Sequence, residues 1–364
     1  MKTNIQKKSI ELELKIKEAT NWNKARVFVI VSMVVAIIKL GRVNLKKVAL
    51  LINPLRSKIT NYRRLNKFFQ YFKTDIYVTS RLMSSFLPKE KWVLTMDRTN
   101  WKFGEKDINI LMLAIAYKGI AIPLMWSILK DKSRGNSSYR DRIRIMRKFI
   151  NIFGVEKIEI LVADREFIGK EWFGWLKKRE IPFTIRIKGC HRVKTAKGEK
   201  RIDRIFKFLK VGKYSLYGRK KRIYGYENLS IVALRLKDEY LILATNSNQY
   251  KALEMYKKRW EIETLFSSLK TRGFNLEETH MSKDEKIYTL VLVLSIAFVW
   301  CHTIGEWMNE KKPLKVLKHG YKEKSLFLYG LETLADIFLN YEFRKRELAT
   351  VFDMLNFKGL KIGD

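Results

Sequence analysis

From Tyr256 to Lys270 the chain reads YKKRWEIETLFSSLK. On a wheel of about 100° per residue, Tyr256, Arg259, Glu263 and Lys270 fall at roughly 0°, 300°, 340° and 320°, a stripe roughly 60° wide. Met255, Ile262, Leu265, Phe266 and Leu269 fall between roughly 180° and 280°, so an apolar face borders the polar stripe. The pattern predicts a single helix whose stripe runs roughly 21 Å at 1.5 Å per residue. One carboxylate stands there among two cations and a phenol, which suits a metal ligand set among groups that grip phosphates. An ordinary solvated helix face has the same composition, and the rest of the chain must decide between the two.

The 364 residues suffice for one large core with additions, or for two or three domains. Lys and Arg number 74 against 37 Asp and Glu, a formal charge of +37. That excess favours a polyanionic partner, with nucleic acid first. Two cysteines, Cys190 and Cys301, make no disulfide framework, and the polar amino terminus has no signal peptide. The expectation is a cytoplasmic protein. Val27 to Ile38 and Tyr288 to Ile304 are apolar, but both fall short of the about 20 residues of a membrane span, so buried helices are expected and no membrane partner.

Upstream of the helix lie the strands KWVLTMD, INILMLAIAY and IAIPLMWSIL, with a hairpin turn at Lys118-Gly119. A helix from about Ser137 to Phe153, the strand IEILVAD closing on Asp164, a helix from Phe167 to Arg179 and the strand FTIRIK follow. This is the element order of an α/β, ribonuclease H-like mixed-sheet core. Its first and fourth strands are neighbours, about 4.8 Å apart, so Asp97 and Asp164 are expected side by side at one sheet end.

Residues 1–87 read as a helical region. Its basic stretch NYRRLNKFFQYF interleaves Arg63, Arg64 and Lys67 with aromatic residues, as a DNA-contacting helix does and as any basic amphipathic helix also does. Residues 88–188 hold the first part of the core. Residues 189–236 form a basic, β-rich insertion containing Lys220 and Lys221, with Tyr214, Tyr217, Tyr224 and Tyr226 as stacking faces. Residues 237–310 complete the core with the Glu263 helix, which Asn246, Ser247 and Asn248 can cap and Gly273 can end. Residues 311–364 are a basic, mixed tail available for dimerisation.

Asp97, Asp164 and Glu263 lie far apart in sequence, yet each falls where a ribonuclease H-like fold converges. Hard divalent ions such as Mg²⁺ take carboxylate oxygens and need few protein ligands. Two such ions can clamp the attacking and leaving oxygens of a phosphodiester. Three carboxylates suffice. Arg165, next to Asp164, can reach a phosphate, although a surface arginine after a strand is also ordinary.

Tyr, two residues, Arg, three residues, Glu, six residues, Lys is the YREK signature, and this chain resembles the IS4-type DDE insertion-sequence transposases that carry it. TMDRTNW around Asp97, ADREFIGKEW around Asp164 and the tail KHGYKEKSLFLYGL resemble the same family. The resemblance implies that Asp97, Asp164 and Glu263 are the acidic triad. It implies further that Tyr256, Arg259 and Lys270 hold DNA near the cut, and that the helical amino-terminal region, with Arg63 and Arg64, recognises the DNA ends. It also implies two Mg²⁺ ions, for which Mn²⁺ can substitute, and cut-and-paste chemistry through hairpin ends. The partners implied are double-stranded DNA, as terminal inverted repeats and target, and a second copy of the chain. The setting is a bacterial cytoplasm at the nucleoid. A ribonuclease H-like nuclease that does not join strands, and a domesticated DNA-binding protein without catalysis, are the alternatives.

Cys190-His191 and Cys301-His302 are adjacent pairs rather than zinc-spaced ones. No GxxxxGK[ST] loop supports ATP-driven work, and no nucleophile elbow supports a serine hydrolase.

Overall fold

The structure, a computed structural model, describes residues 4–129, 135–195, 198–223, 226–318, 320 and 322–355. Five helices come first: α1 Asn4–Thr20, α2 Lys24–Leu40, α3 Leu45–Leu51, α4 Lys58–Tyr71 and α5 Ile76–Ser84. Then come β1 Trp92–Phe103, β2 Lys106–Tyr117, β3 Ile120–Ile128, α6 Tyr139–Phe153, β4 Ile158–Ala163, α7 Lys170–Lys178 and β5 Phe183–Arg186. The next part holds β6 Arg192–Thr195, β7 Gly198–Arg201, α8 Ile202–Ile205, β8 Tyr214–Ile223, β9 Tyr226–Arg235 and β10 Tyr240–Thr245. Helices α9 Ala252–Lys257, α10 Trp260–Leu269, α11 Asp284–Lys311, α12 Leu326–Leu339 and α13 Lys345–Met354 close the chain. The described residues of 1–88, 101–106 and 265–364 form one compact unit, and those of 89–100 and 107–264 form a second.

The first unit is helical because its apolar runs are too long and too continuous for amphipathic surface helices. Helix α2 buries Val27, Ile30, Val34 and Ile37 among others. The Asn23 side chain accepts from Ala25 N at its start, and Gly41, at φ 61°, ends it. Helix α11 is long and apolar enough to cross a membrane, and 89 % of its most apolar stretch is buried. Packing against α2 and α12 accounts for that apolarity. Two glycines let α11 and α12 approach backbone to backbone. A Cβ on Gly330 would meet the Cys301 carbonyl oxygen at 1.7 Å, and one on Gly305 the Leu326 carbonyl oxygen at 1.8 Å.

The second unit is built on a sheet ordered β3-β2-β1-β4-β5-β10-β9-β8. Strands β2 and β3 form the expected hairpin, pairing Tyr117 with Ile120. Lys118 at φ 51° and Gly119 at φ 89° give both turn residues the left-handed backbone of a two-residue hairpin. Strands β1 and β4 are parallel, with Thr95 opposite Val162 and Met96 opposite Ala163. Strand β4 is also parallel to β5. The run β3-β2-β1-β4-β5, with helices as the crossovers, is the ribonuclease H-like topology the element order predicts. Helix α6 opens on a capping box in which Ser138 and Asp141 satisfy each other's backbone N–H.

The strands after residue 213 do not stand apart from this sheet. Strand β10 pairs antiparallel with β5, Leu243 opposite Arg186, and β9 and β8 follow it outward. An unpaired β5 edge would expose a row of backbone groups, and the added strands cover it. Among the described residues, β6 and β7 form a separate small ribbon.

Candidate catalytic and DNA-binding site

Asp97 and Asp164 each follow a residue of the pair Met96–Ala163, the last in the β1–β4 parallel register. Strand β1 itself runs on to Phe103, so Asp97 stands inside its strand while Asp164 has just left β4. Asp97 is largely buried. Its carboxyl is pushed up to about 6, first by desolvation, with the charges of Glu166 and Asp164 adding to the rise. The Arg98 backbone N–H, donating to Asp97 Oδ1 at 2.7 Å, and the Arg259 charge work the other way.

The signature stretch is not one helix. After β10 the Asn248 side chain caps a single 3₁₀ turn at Gln249–Lys251, then α9 runs to Lys257 and α10 begins at Trp260. The chain between them is held by tightened bonds from Lys258 N to Met255 O, Arg259 N to Tyr256 O and Ile262 N to Arg259 O. Asn246 is not a helix cap. Its amide bridges Phe183 N and Ile181 O and so anchors the start of β5.

Because α9 lies against the sheet, Tyr256 is buried, 3 % exposed, among Val232, Leu243 and Ala252. Its hydroxyl donates to Asp164 Oδ1 at 3.3 Å. Burial, with Asp164 nearby, raises the phenol further above its ordinary range, so it stays a neutral donor. Met255 turns instead to Val93, Ile160 and Val162 under the two aspartates. The tightened turn drops Arg259 inward, to 4 % exposure. Its Nη2 donates to Glu263 Oε1 at 2.6 Å and its Nη1 lies 3.6 Å from Asp97 Oδ2. Arg259 Nε is buried with no hydrogen-bond partner. The guanidinium lies over the Trp260 ring at 4.8 Å, and Trp260 is 58 % exposed.

A second arginine system, which the sequence reading misses, locks the loops beside the aspartates. Arg98 Nε donates to both oxygens of Glu166, at 2.9 and 3.1 Å, and Nη1 to Asn109 Oδ1 at 3.0 Å. Glu166 Oε1 also accepts from Ser137 N and Oγ. Beneath it Arg142, 4 % exposed, donates to Ser137 Oγ and to the carbonyls of Ser137, Glu166 and Ile168. Burial lowers its guanidinium to about 10. The available signal was a basic or acidic residue immediately beyond each aspartate, in MDR and ADRE.

The structure thus brings Asp97, Asp164, Tyr256, Arg259 and Glu263 together in one unit. Arg165 is exposed on the loop after β4. Lys270 belongs to the other unit, where it pairs with Glu277 at 2.8 Å and lies over Trp101 at 5.9 Å. Arg63 is exposed on α4, while Arg64 is half-buried over the Phe28 ring at 4.5 Å. Lys220 and Lys221 lie on β8, and their side chains fall outside the described residues.

The donor set suits a hard divalent cation. Asp97, Asp164 and Glu263 offer only carboxylate oxygen, and burial beside like charge raises the Asp97 carboxyl even with Arg259 3.6 Å away. Among the described residues no three acidic, histidine or cysteine side chains stand close enough to share an ion as they are placed. Arg259 makes the contacts between Asp97 and Glu263.

Among curated proteins no relative matches the chain. A solved piggyBac transposase synaptic complex with hairpin DNA is similar at 12 % identity, over 94 % of this chain and 78 % of that one, with a TM-score of 0.44. A likeness that distant carries no statement about function. The transposase DDE domain family matches residues 88–300, a span that runs from β1 through Glu263 into α11. On that match the chain belongs to the family of transposases with a DDE domain.

Proposed function

We propose that this transposase cuts and rejoins DNA at the terminal inverted repeats of an insertion sequence by cut and paste, through hairpin ends, as a homodimer in a bacterial cytoplasm at the nucleoid. The observation that carries the reading is the pairing of Met96 with Ala163, one residue before Asp97 and Asp164, with Glu263 tied to Asp97 through Arg259. Asp97, Asp164 and Glu263 would hold two Mg²⁺ ions, with Mn²⁺ as a substitute. When bound, such ions polarise the phosphoryl oxygens and stabilise the attacking and leaving oxygens of an in-line displacement.

The protein's own residues then have separate tasks. Tyr256 fixes the Asp164 carboxylate through its neutral hydroxyl. Arg259, bidentate by nature, exchanges its carboxylate partners for a DNA phosphate beside the cut, and exposed Trp260 offers a stacking face for a base. Lys270, Arg165, Lys220 and Lys221 supply further phosphate contacts, and Arg63 and Arg64 belong to the end-recognising helical region. By this reading residues 1–87 are that region, 88–188 and 237–310 the core, 189–236 the basic insertion and 311–364 a dimerisation region.

The test uses end DNA taken from the sequence flanking the reading frame, incubated with the protein and Mg²⁺. Nicks at the repeat boundary, hairpin ends and joined target products are expected. Cleavage without any joined product would replace the reading with that of a nuclease.

A further inference from the structure

The first unit holds a cavity of about 410 Å³, within the size range of sites for small ligands. Tyr62, Asn66 and Phe69 of α4 form one side, and His280 and Lys283 just before α11 with Lys286 of its first turn form the other, with Lys46 beside them. Phe69, 3 % exposed, closes the floor.

The walls are fixed before any ligand arrives. Lys106 donates to the Ser282 carbonyl and, at 2.7 Å, to Asp284 Oδ1. The His280 ring stands edge-on to Phe103 at 5.4 Å, and its backbone takes φ 56°. Thr279 Oγ1 accepts from Met281 N at 3.0 Å.

Charge selects the ligand. Among the described residues no acidic side chain lines the cavity; of the acids adjacent in sequence to lining residues, Glu278, Asp284 and Glu285, Asp284 is engaged by Lys106. Among the described residues Lys46, Lys283 and Lys286 have no ion-pair partner. Three ammonium groups around one concavity repel each other until an anion neutralises them. Tyr62 and Asn66 add neutral donors. Arg63 and Lys67, each one residue further along α4, are exposed and extend the cationic rim.

We propose that this cavity is a docking point for the DNA backbone, in which Lys46, Lys283 and Lys286 grip one phosphodiester and the adjoining sugar rests over Phe69. The inference deepens the end-binding reading above and rests on it.

The test pairs Lys283→Gln/Lys286→Gln with single methylphosphonate substitutions along the terminal DNA, each of which removes one backbone charge. The parent should show one or two positions where the neutral linkage weakens binding several-fold, and the double variant, left with Lys46 alone, should lose most of that sensitivity at those same positions. Its slope of log affinity against log salt should be shallower by up to about 0.9, the share of one neutralised phosphate. Lys315→Gln/Lys318→Gln, an equal charge change on another exposed stretch, should leave the position dependence intact. Tyr62→Phe, which preserves the ring, should weaken binding at the same positions.

No methylphosphonate position losing its effect in the double variant would overturn the proposal. So would an equal loss in the control variant, or binding of a free deoxynucleoside monophosphate with no coupling to any DNA position. If the parent binds and cuts its ends while these outcomes appear, only the cavity proposal falls. If the parent binds no end DNA, the end-binding reading falls with it.

Discussion

Arg259 Nη2 lies 2.6 Å from Glu263 Oε1 while its Nη1 lies 3.6 Å from Asp97 Oδ2. One buried guanidinium therefore serves as counter-ion to two of the three carboxylates. Replacing it by Met keeps the apolar stem but leaves those carboxylates facing each other. Arg259→Met should lower stability by about 1–2 kcal/mol without metal, less than a fully buried pair because Glu263 is 43 % exposed. Mg²⁺ should then raise the melting temperature of the variant more than that of the parent. Equal Mg²⁺ shifts in the two proteins would remove Arg259 from this role. On the proposed reading Arg259→Met should also lose hairpin ends, and Arg259→Lys should restore them poorly, since an ammonium cannot fork across two oxygens.

Asp97→Ala, Asp164→Ala and Glu263→Ala should each reduce strand cleavage by on the order of a thousandfold, with end binding close to that of the parent. On the proposed reading they hold metal, whereas DNA affinity comes mainly from cations. A gel shift and a cleavage assay on one labelled end separate the two. Cleavage at the parent's rate by any one variant would remove that residue from the site.

Glu166 accepts two bonds from Arg98 and two from Ser137, and so ties the loop after β4 to β1. It touches neither Asp97 nor Asp164 directly. Glu166→Gln should cost about 10–100-fold in cleavage, as loss of an orienting partner does, and should raise the Mg²⁺ concentration needed for half-maximal rate. An unchanged Mg²⁺ dependence would make the network purely structural.

Much of this was legible in the sequence, and the reason is local. The hairpin could be read from Lys118-Gly119 because both residues must take left-handed backbone, which few residue pairs tolerate. Strands β1, β2 and β4 could be read from continuous apolar runs, as strands covered on both faces require. The placement of Asp97 and Asp164 one residue beyond a paired Met96 and Ala163 follows from the first and fourth strands being neighbours. What the wheel could not give was the break at Lys258 and Arg259. Nothing in YKKRWEIE disfavours a straight helix, and the inward turn is set by where α9 meets β9 and β10, through Tyr256 on Val232 and Leu243. The joining of β8, β9 and β10 to β5 was likewise hidden, because a strand's partner is a non-local property that its own residues do not encode. Arg98 and Glu166 were passed over since a lone charge after a strand is usually solvated.

Asp97 makes both stability and cleavage depend on pH. Its carboxyl sits at about 6 in the folded protein against an ordinary 3.8, chiefly through desolvation. The folded state therefore binds more protons than the unfolded state between about pH 4 and 6, so metal-free stability falls as pH rises through that window. Above pH 6 the cost is fully present, on the order of 1–3 kcal/mol for a shift of this size. Asp97→Asn removes the charge and nearly keeps the shape. In the metal-free protein it should raise the melting temperature relative to the parent at pH 7.5 and make little difference at pH 4, where the parent's carboxyl is already protonated. Cleavage should respond in the opposite direction. Below about pH 6 a proton competes with metal for Asp97, so the parent's rate at limiting Mg²⁺ should fall about tenfold per pH unit, and more Mg²⁺ should move that fall to lower pH. Thermal melts of both proteins at the two pH values, beside a pH–rate profile at two Mg²⁺ concentrations, provide the check. If Asp97→Asn stabilises equally at pH 4 and pH 7.5, desolvated charge is not what burdens this residue, and the proposed metal site loses the electrostatic support Asp97 gives it.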